Sequence, residues 1–217
     1  MTQTHSKYSR FLPSFYYSIE DLWFDYQMGI KTRGVVEVFD IDPVSPNITH
    51  ARRYQATRTG LLKKFCKQFE IAFQDKVVLD VGAGFGRMLF FAASMGAKDL
   101  IGVDIGRNFK QGFADNVTSY RQKTKNRLAQ FHFFERDILN FHPEQPVDII
   151  YLYNPFDDRL MFEFSQQIKL WPGIQTATVI YANPIRVKIL QARGFQVINH
   201  LDTGDNNTSI LSLKLKC

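Results

Sequence analysis

The sequence predicts an α/β protein: a seven-stranded, mostly parallel sheet with one antiparallel strand at its C-terminal end, helices on both faces, and an N-terminal extension. Three observations carry this. Residues 77–81, Val-Val-Leu-Asp-Val, form a short aliphatic run of the kind buried on both faces of a parallel sheet. The run enters a turn with glycines at alternate positions, Gly82, Gly84 and Gly86, and then a helical stretch over 87–95. Glycine tolerates positive φ in a tight turn, and without a Cβ it lets another group lie against the backbone. From there onward strand-like and helix-like runs alternate, which implies parallel strands with right-handed crossovers.

The elements follow in order. Residues 1–17 pass from polar to aromatic, with Phe11, Phe15, Tyr16 and Tyr17 around Pro13, and suit an arm packed on the main domain. Ser18-Ile19-Glu20-Asp21 reads as a helix start, with Ser18 as cap and acids in the first turn. Leu22, Trp23, Tyr26 and Met28 continue that helix, and Gly29 and Gly34 bracket a turn. Residues 34–39 suit a short strand and 42–47, Asp-Pro-Val-Ser-Pro-Asn, a loop. Leu61, Leu62, Phe65, Cys66 and Phe69 have helical spacing, with Thr57 or Thr59 as the N-cap. After the glycine turn, strands are expected over 99–104, 130–135, 147–153 and 176–181. The helices between and after them are expected over 107–120, 159–170 and 186–193. The last two strands, 195–199 and 210–215, are joined by a turn over 202–207 that is too short for a crossover, so they run antiparallel. The organisation read here is an extension over 1–75, acting as a lid or substrate element, and a cofactor domain over 76–217.

Composition narrows the function. With 45% hydrophobic residues the chain can bury a full core, and most of its 20 Phe, nine Tyr and two Trp belong there. A net charge of +6 permits an anionic partner without requiring one. Six basic residues and no acid fall between Arg52 and Lys67, either a solvated helix flank or a face for such a partner. Two cysteines, Cys66 and Cys217, are too few for a disulfide framework or a zinc cluster. The five His show no metal-ligand spacing, so no metal is expected. No window reaches the ~18 apolar residues of a spanning helix. The first residues lead into no apolar segment of signal length, so a cytoplasmic protein without a membrane partner is expected.

The chemistry lies at the carboxyl ends of the parallel strands, where α/β sheets bind ligands. A dinucleotide fingerprint reads Gly-x-Gly-x-x-Gly, whereas this chain has Gly82-x-Gly84-x-Gly86 with Asp80 two residues ahead. A pyrophosphate wants amide donors and no nearby carboxylate, so Asp80 suits a ligand with a cationic end. Asp104 ends the second strand and offers two acceptor oxygens to a pair of vicinal hydroxyls. Asp137-Ile138 follow the third strand and Asn154-Pro155-Phe156 the fourth. Taken singly, Asp104 could be a helix cap, and Asp137 and Asn154-Pro155 turn residues.

Together, across 77–215, these residues resemble the class I S-adenosylmethionine (SAM) methyltransferases, a Rossmann-like family whose motif I reads Asp/Glu-x-Gly-x-Gly-x-Gly. The resemblance implies SAM as cofactor, its methionine end cradled by Asp80, Gly82, Ala83, Gly84 and Gly86. It implies ribose contacts at Asp104 and Ile105 and adenine contacts at Asp137 and Ile138. Asn154-Pro155-Phe156 resembles, with one Pro fewer, the Asn-Pro-Pro-Tyr/Phe motif of enzymes that methylate planar amino groups. There the Asn oxygen, here Asn154, and a free backbone carbonyl beside Pro155 would accept the amine's hydrogens, while Phe156 walls the acceptor site. Tyr153-Asn154-Pro155-Phe156 also resembles poorly characterised bacterial methyltransferases with a Tyr-x-Pro/Ala-Thr element. That element matches Tyr54-Gln55-Ala56-Thr57 and places Tyr54 and Thr57 near the cofactor. The expected function is methyl transfer to nitrogen of an unidentified acceptor, whether protein, nucleic acid or small molecule. The rivals are a non-catalytic SAM-binding sensor and a dinucleotide-dependent oxidoreductase; the glycine spacing and the terminal hairpin count against the latter.

Overall fold

A computed structural model describes residues 11–202 and 209–216. The polar start of the chain, the side chains of 11–18, most of the 202–207 turn and Cys217 lie outside these residues. The extension holds α1 (Phe11–Met28), the short strands β1 (Val35–Val36) and β2 (Tyr54–Gln55), and α2 (Thr59–Gln68). The sheet domain follows as β3 (Val77–Val81), α3 (Arg87–Ser94), β4 (Asp99–Asp104), α4 (Asn108–Thr124), β5 (Gln130–Glu135) and β6 (Ile149–Tyr153). It ends with α5 (Asp158–Gln167), β7 (Thr178–Ala182), α6 (Val187–Ala192), β8 (Phe195–Leu201) and β9 (Ile210–Leu215).

Seven strands make one sheet in the order β5-β4-β3-β6-β7-β9-β8. β3 to β7 are mutually parallel, and β9 runs antiparallel to both β7 and β8. The expected terminal hairpin is present, but β9 folds back inside β8 and pairs with β7. Successive residues of a strand face opposite sides of the sheet. Val78 thus joins one core with Phe90, Phe113 and Tyr120, and Leu79 the other with Phe164, Trp171 and Val179. The chain departs from β3 toward β4 on one side and β6 on the other, so the crevice of the fold opens at the carboxyl ends of these strands.

The extension differs from its sequence reading in three places. α1 begins at Phe11 and runs through Ser18, so Ser18 lies inside the helix rather than at its start. Pro13 is tolerated because it lies in the first turn, where backbone N–H groups have no helical partner. The strand over 34–39 shrinks to Val35–Val36, paired with Tyr54–Gln55, and turns into a 3-10 turn at Val38–Asp40. Neither Thr57 nor Thr59 caps α2. Asp21, from α1, accepts from the Thr59 N–H and hydroxyl, both at 2.8 Å. α1 and α2 place Phe24, Leu61, Leu62 and Phe65 in the same core as α3. Arg87 on α3, only 3% exposed, pairs with Asp21 at 2.8 Å and Asp25 at 3.2 Å and donates to the Thr32 hydroxyl at 2.6 Å.

Candidate cofactor and acceptor site

The carboxyl ends of β3, β4, β5 and β6 open on a cleft of about 80 Å³. One stretch of the extension, residues 42–57, crosses its rim. Asp42 and Val44 bond to the backbone after β4, at Arg107 N (2.8 Å) and Ile105 O (2.9 Å). Ser45 Oγ and Asn47 Nδ2 donate to Asp137 Oδ2 after β5, at 2.6 and 2.7 Å. His50 O accepts from Asp157 N at 2.9 Å, and Arg52 N donates to Pro155 O at 3.0 Å, after β6. The segment over 42–47, read from the sequence as a loop, is thus bonded to the strand ends on the rim.

The glycine turn divides its labour. Gly82, at φ +78°, lines the cleft, and an added Cβ would meet only Pro155 at 3.5 Å, so its bare backbone faces the cavity. Gly84, at φ +50°, makes room for the Tyr54 ring, which a Cβ there would approach to 2.1 Å. The space over Gly84 thus holds a side chain of the extension. Gly86 caps α3 and packs against Phe113. Ala83 is buried in the core cluster of α3. Tyr54 lines the cleft, donates its hydroxyl to Thr32 O at 2.7 Å and meets Phe85 and Phe109 edge-on or tilted. Burial drives that phenol well above its ordinary range, against the pull of Arg87. Thr57 lies off the cleft lining, buried and hydrogen-bonded to the Tyr151 hydroxyl.

Two buried acids sit beneath the turn. Asp104, at the end of β4, accepts from Gly84 N through Oδ2 and from Gly106 N through Oδ1, both at 2.8 Å. Burial pushes its carboxyl up to about 6, against the opposing pull of these amides. Asp80 lies in the interior of β3, where burial and then the charge of Asp104 push it up to about 8. Asp104, Ile105, Asp137 and Ile138 all line the cleft; Asp80 lies below its lining. Asp137 Oδ1 also accepts from Leu139 N at 3.0 Å, which caps a 3-10 turn at Ile138–Asn140.

The Asn-Pro-Phe segment departs from its expected geometry. Pro155 and Phe156 wall the cleft, and Phe156 packs on Phe164 in the core. The Pro155 carbonyl, expected to be free, accepts from Arg52 N. Asn154 sits at φ +38°, and its Oδ1 accepts from Arg186 Nη1 at 3.0 Å. It lines a second, adjoining cleft rather than the first. Sequence reasoning named Arg52 only as the start of a basic run and missed Ser45, Asn47, Arg186 and Asn183. For the last a signal existed: Asn183-Pro184 after β7 repeats Asn154-Pro155 after β6. The basic run over 52–67 is split in the fold: Arg52 and Arg53 line the clefts, while Lys63 pairs with Glu20 at 3.5 Å.

No protein-family model matches the sequence. A stretch of 62 residues is 42% identical to protein arginine N-methyltransferase 1 of Saccharomyces cerevisiae; it covers 25% of this chain and 18% of the yeast protein. The structure resembles a ribosomal protein L11 methylase from Lactobacillus delbrueckii subsp. bulgaricus at TM-score 0.56 and 17% identity, over 73% of this chain and 79% of that one. It likewise resembles a magnesium protoporphyrin IX methyltransferase from Synechocystis PCC 6803, with SAM bound, at TM-score 0.53 and 17% identity, over 73% and 77% of the two chains. By strand order, by the reversed seventh strand and by these likenesses, the chain has the fold of the class I SAM-dependent methyltransferases.

Proposed function

We propose that this chain is a SAM-dependent methyltransferase acting on a nitrogen of its acceptor. The observation that carries the reading is convergence: Gly82, Asp104, Ile105, Asp137 and Ile138 meet in one cleft at the switch point of the sheet. The residues fit the cofactor. The bare backbone at Gly82 leaves room for a close-lying ligand, and Asp80, beneath the lining, can attract an ammonium group once it is ionised. Each Asp104 oxygen keeps a lone pair beyond its amide bond and can accept from a ribose hydroxyl. Ile138 offers an apolar wall to adenine, and Asp137 ties the 42–57 stretch down beside it.

Bound SAM would supply an electrophilic methyl group on a sulfonium that leaves readily. The protein's share is then positioning and exclusion of water. Phe156 and Pro155 form the wall toward the acceptor, Arg186 fixes the plane of the Asn154 amide, and residues 42–57 close the rim. The Asn-Pro-Phe resemblance and the short likeness to an arginine N-methyltransferase both favour nitrogen. The proposed compartment is the cytoplasm. Among the described residues no helix is long and apolar enough to cross a membrane, and Cys66 is a buried free thiol. Calorimetry with SAM, its demethylated product S-adenosylhomocysteine and NAD tests the reading. Binding of the first two and not the third is expected, and preference for NAD overturns it. Tight SAM binding with no labelled methyl transferred to protein, RNA, DNA or small-molecule fractions would point to a sensor.

A further inference from the structure

The second cleft, of about 470 Å³, adjoins the first across Ala51, Arg52 and Tyr153 and lies at the ends of β6 and β7. Its lining includes the asparagines of two Asn-Pro dipeptides, one after each strand, next to the registered pair Tyr153 and Ala182. Asn154 and Asn183 both hold left-handed backbone, φ +38° and +49°. That conformation is uncommon outside glycine, and its repetition on neighbouring strands aims both residues at one place.

The two amides differ in what they hold. A guanidinium has donors only, so the bond from Arg186 commits Asn154 Oδ1 and orients that amide. Asn183 is 8% exposed and lines the cleft, yet its Oδ1 has no hydrogen-bond partner. Buried acceptors are seldom left unpaired in native proteins, and this oxygen, closed off from solvent as it stands, meets a ligand in the cleft once the amide turns. Rotation about Cβ–Cγ exchanges the oxygen and the NH₂ with little change in volume, so either end of the amide can meet a ligand. The charge at the cleft is also uneven. Arg53 pairs with Glu37, the one carboxylate in the lining, at 3.3 Å, and Arg52 is near enough to Asp157 to help hold that carboxyl below its ordinary range. Arg52 is exposed on the border between the two clefts.

Resting on the methyltransferase reading, we propose that this second cleft is the acceptor site, that Asn183 is its contact amide, and that Arg52 selects acceptors bearing a carboxylate or phosphate. The test uses ¹⁵N-labelled full-length protein with S-adenosylhomocysteine bound. The side-chain amide signals of Asn154 and Asn183 are assigned with Asn154→Asp and Asn183→Asp. Benzoate, phenyl phosphate and neutral benzamide are the probes. The expected result is a saturable shift of the Asn183 signal with at least one anion and much weaker binding of benzamide. Arg52→Ala, at an exposed position, should weaken the anion about tenfold by loss of a charge-assisted contact, a larger loss than any it causes in S-adenosylhomocysteine affinity at the cleft it also borders. An Asn183 signal unmoved by either anion overturns the proposal, as does benzamide binding as tightly as the anions. A loss of S-adenosylhomocysteine affinity in Arg52→Ala as large as the loss of anion affinity also overturns it, because Arg52 would then serve the cofactor. Failure of S-adenosylhomocysteine to bind the unaltered protein at all is a separate outcome, and it strikes the methyltransferase reading itself.

Discussion

Asp104 holds two backbone amides as well as facing the cleft, so its removal has two consequences. The sequence suggests that Asp104→Ala weakens SAM binding and spares the fold. The structure adds that Gly84 N and Gly106 N lose their acceptors, and buried unpaired donors cost about 1–3 kcal/mol each. Calorimetry and urea denaturation should therefore both register the change, with ~1.5–3 kcal/mol lost from cofactor binding. Stability that stays intact would make Asp104 a ligand contact only. Asp80 makes a pH prediction. Its folded-state value of about 8 lies above the ordinary 3.8, so the folded protein holds the proton more tightly. The stabilisation is complete below the ordinary value and is lost as pH rises from there through about 8. The Tm of the ligand-free protein should fall between about pH 6 and 8, and Asp80→Asn should flatten that slope. SAM affinity should rise over the same interval, because only the ionised carboxylate attracts an ammonium group. Equal affinity at both ends would remove Asp80 from the cofactor site.

The stretch over 42–57 crosses the rim of the cleft and is bonded to three strand ends. Gly84→Val forces a Cβ into the Tyr54 ring at a left-handed position. The sequence predicts loss of cofactor binding in a folded protein, by occupation of ligand space. The structure predicts that Tyr54 leaves its place on the turn, so the stretch loosens as well. Hydrogen exchange at Val44 and Arg52, whose N–H groups bond to Ile105 and Pro155, should speed up in this variant. The same amides report on a double replacement, Ser45→Ala with Asn47→Ala, which removes both donors from this stretch to Asp137. Loss of two hydrogen bonds to a carboxylate should weaken SAM binding by about 1–3 kcal/mol if the stretch closes over the cofactor. Unchanged exchange and unchanged affinity would reduce 42–57 to a passive cover.

At the scale of the whole molecule, the extension is joined to the sheet domain by charge as well as by apolar packing. Arg87 is buried between Asp21 and Asp25 of α1, and Asp21 caps α2. One guanidinium thus ties two helices of the extension to the helix that follows the glycine turn. Arg87→Ala leaves buried carboxylates without their cation, which costs about 3–5 kcal/mol. Arg87→Lys should restore only part of this, because an ammonium cannot match a planar fork contacting three groups. Urea denaturation of both variants gives the comparison, and a loss below about 1 kcal/mol in Arg87→Ala would mean that α1 is held by its apolar face alone.

By itself the sequence determined the sheet and the frame of the cofactor cleft. Strand periodicity, the alternate glycines and acids at strand ends are local signals, and Asp104, Asp137 and Gly82 stand where those signals place them. Tertiary structure alone decided the rest. The turn before Ile210–Leu215 implies only that the last two strands are antiparallel; which neighbour β9 joins depends on the open edge of β7. Ser45 and Asn47 meet Asp137 across 92 and 90 residues of chain, and Asp21 reaches Thr59 across 38. Pairings at such separations leave no periodicity in either partner. The fate of Asn154 follows the same rule, because a pattern that marks an amide at a strand end carries no information about the Arg186 that will hold it.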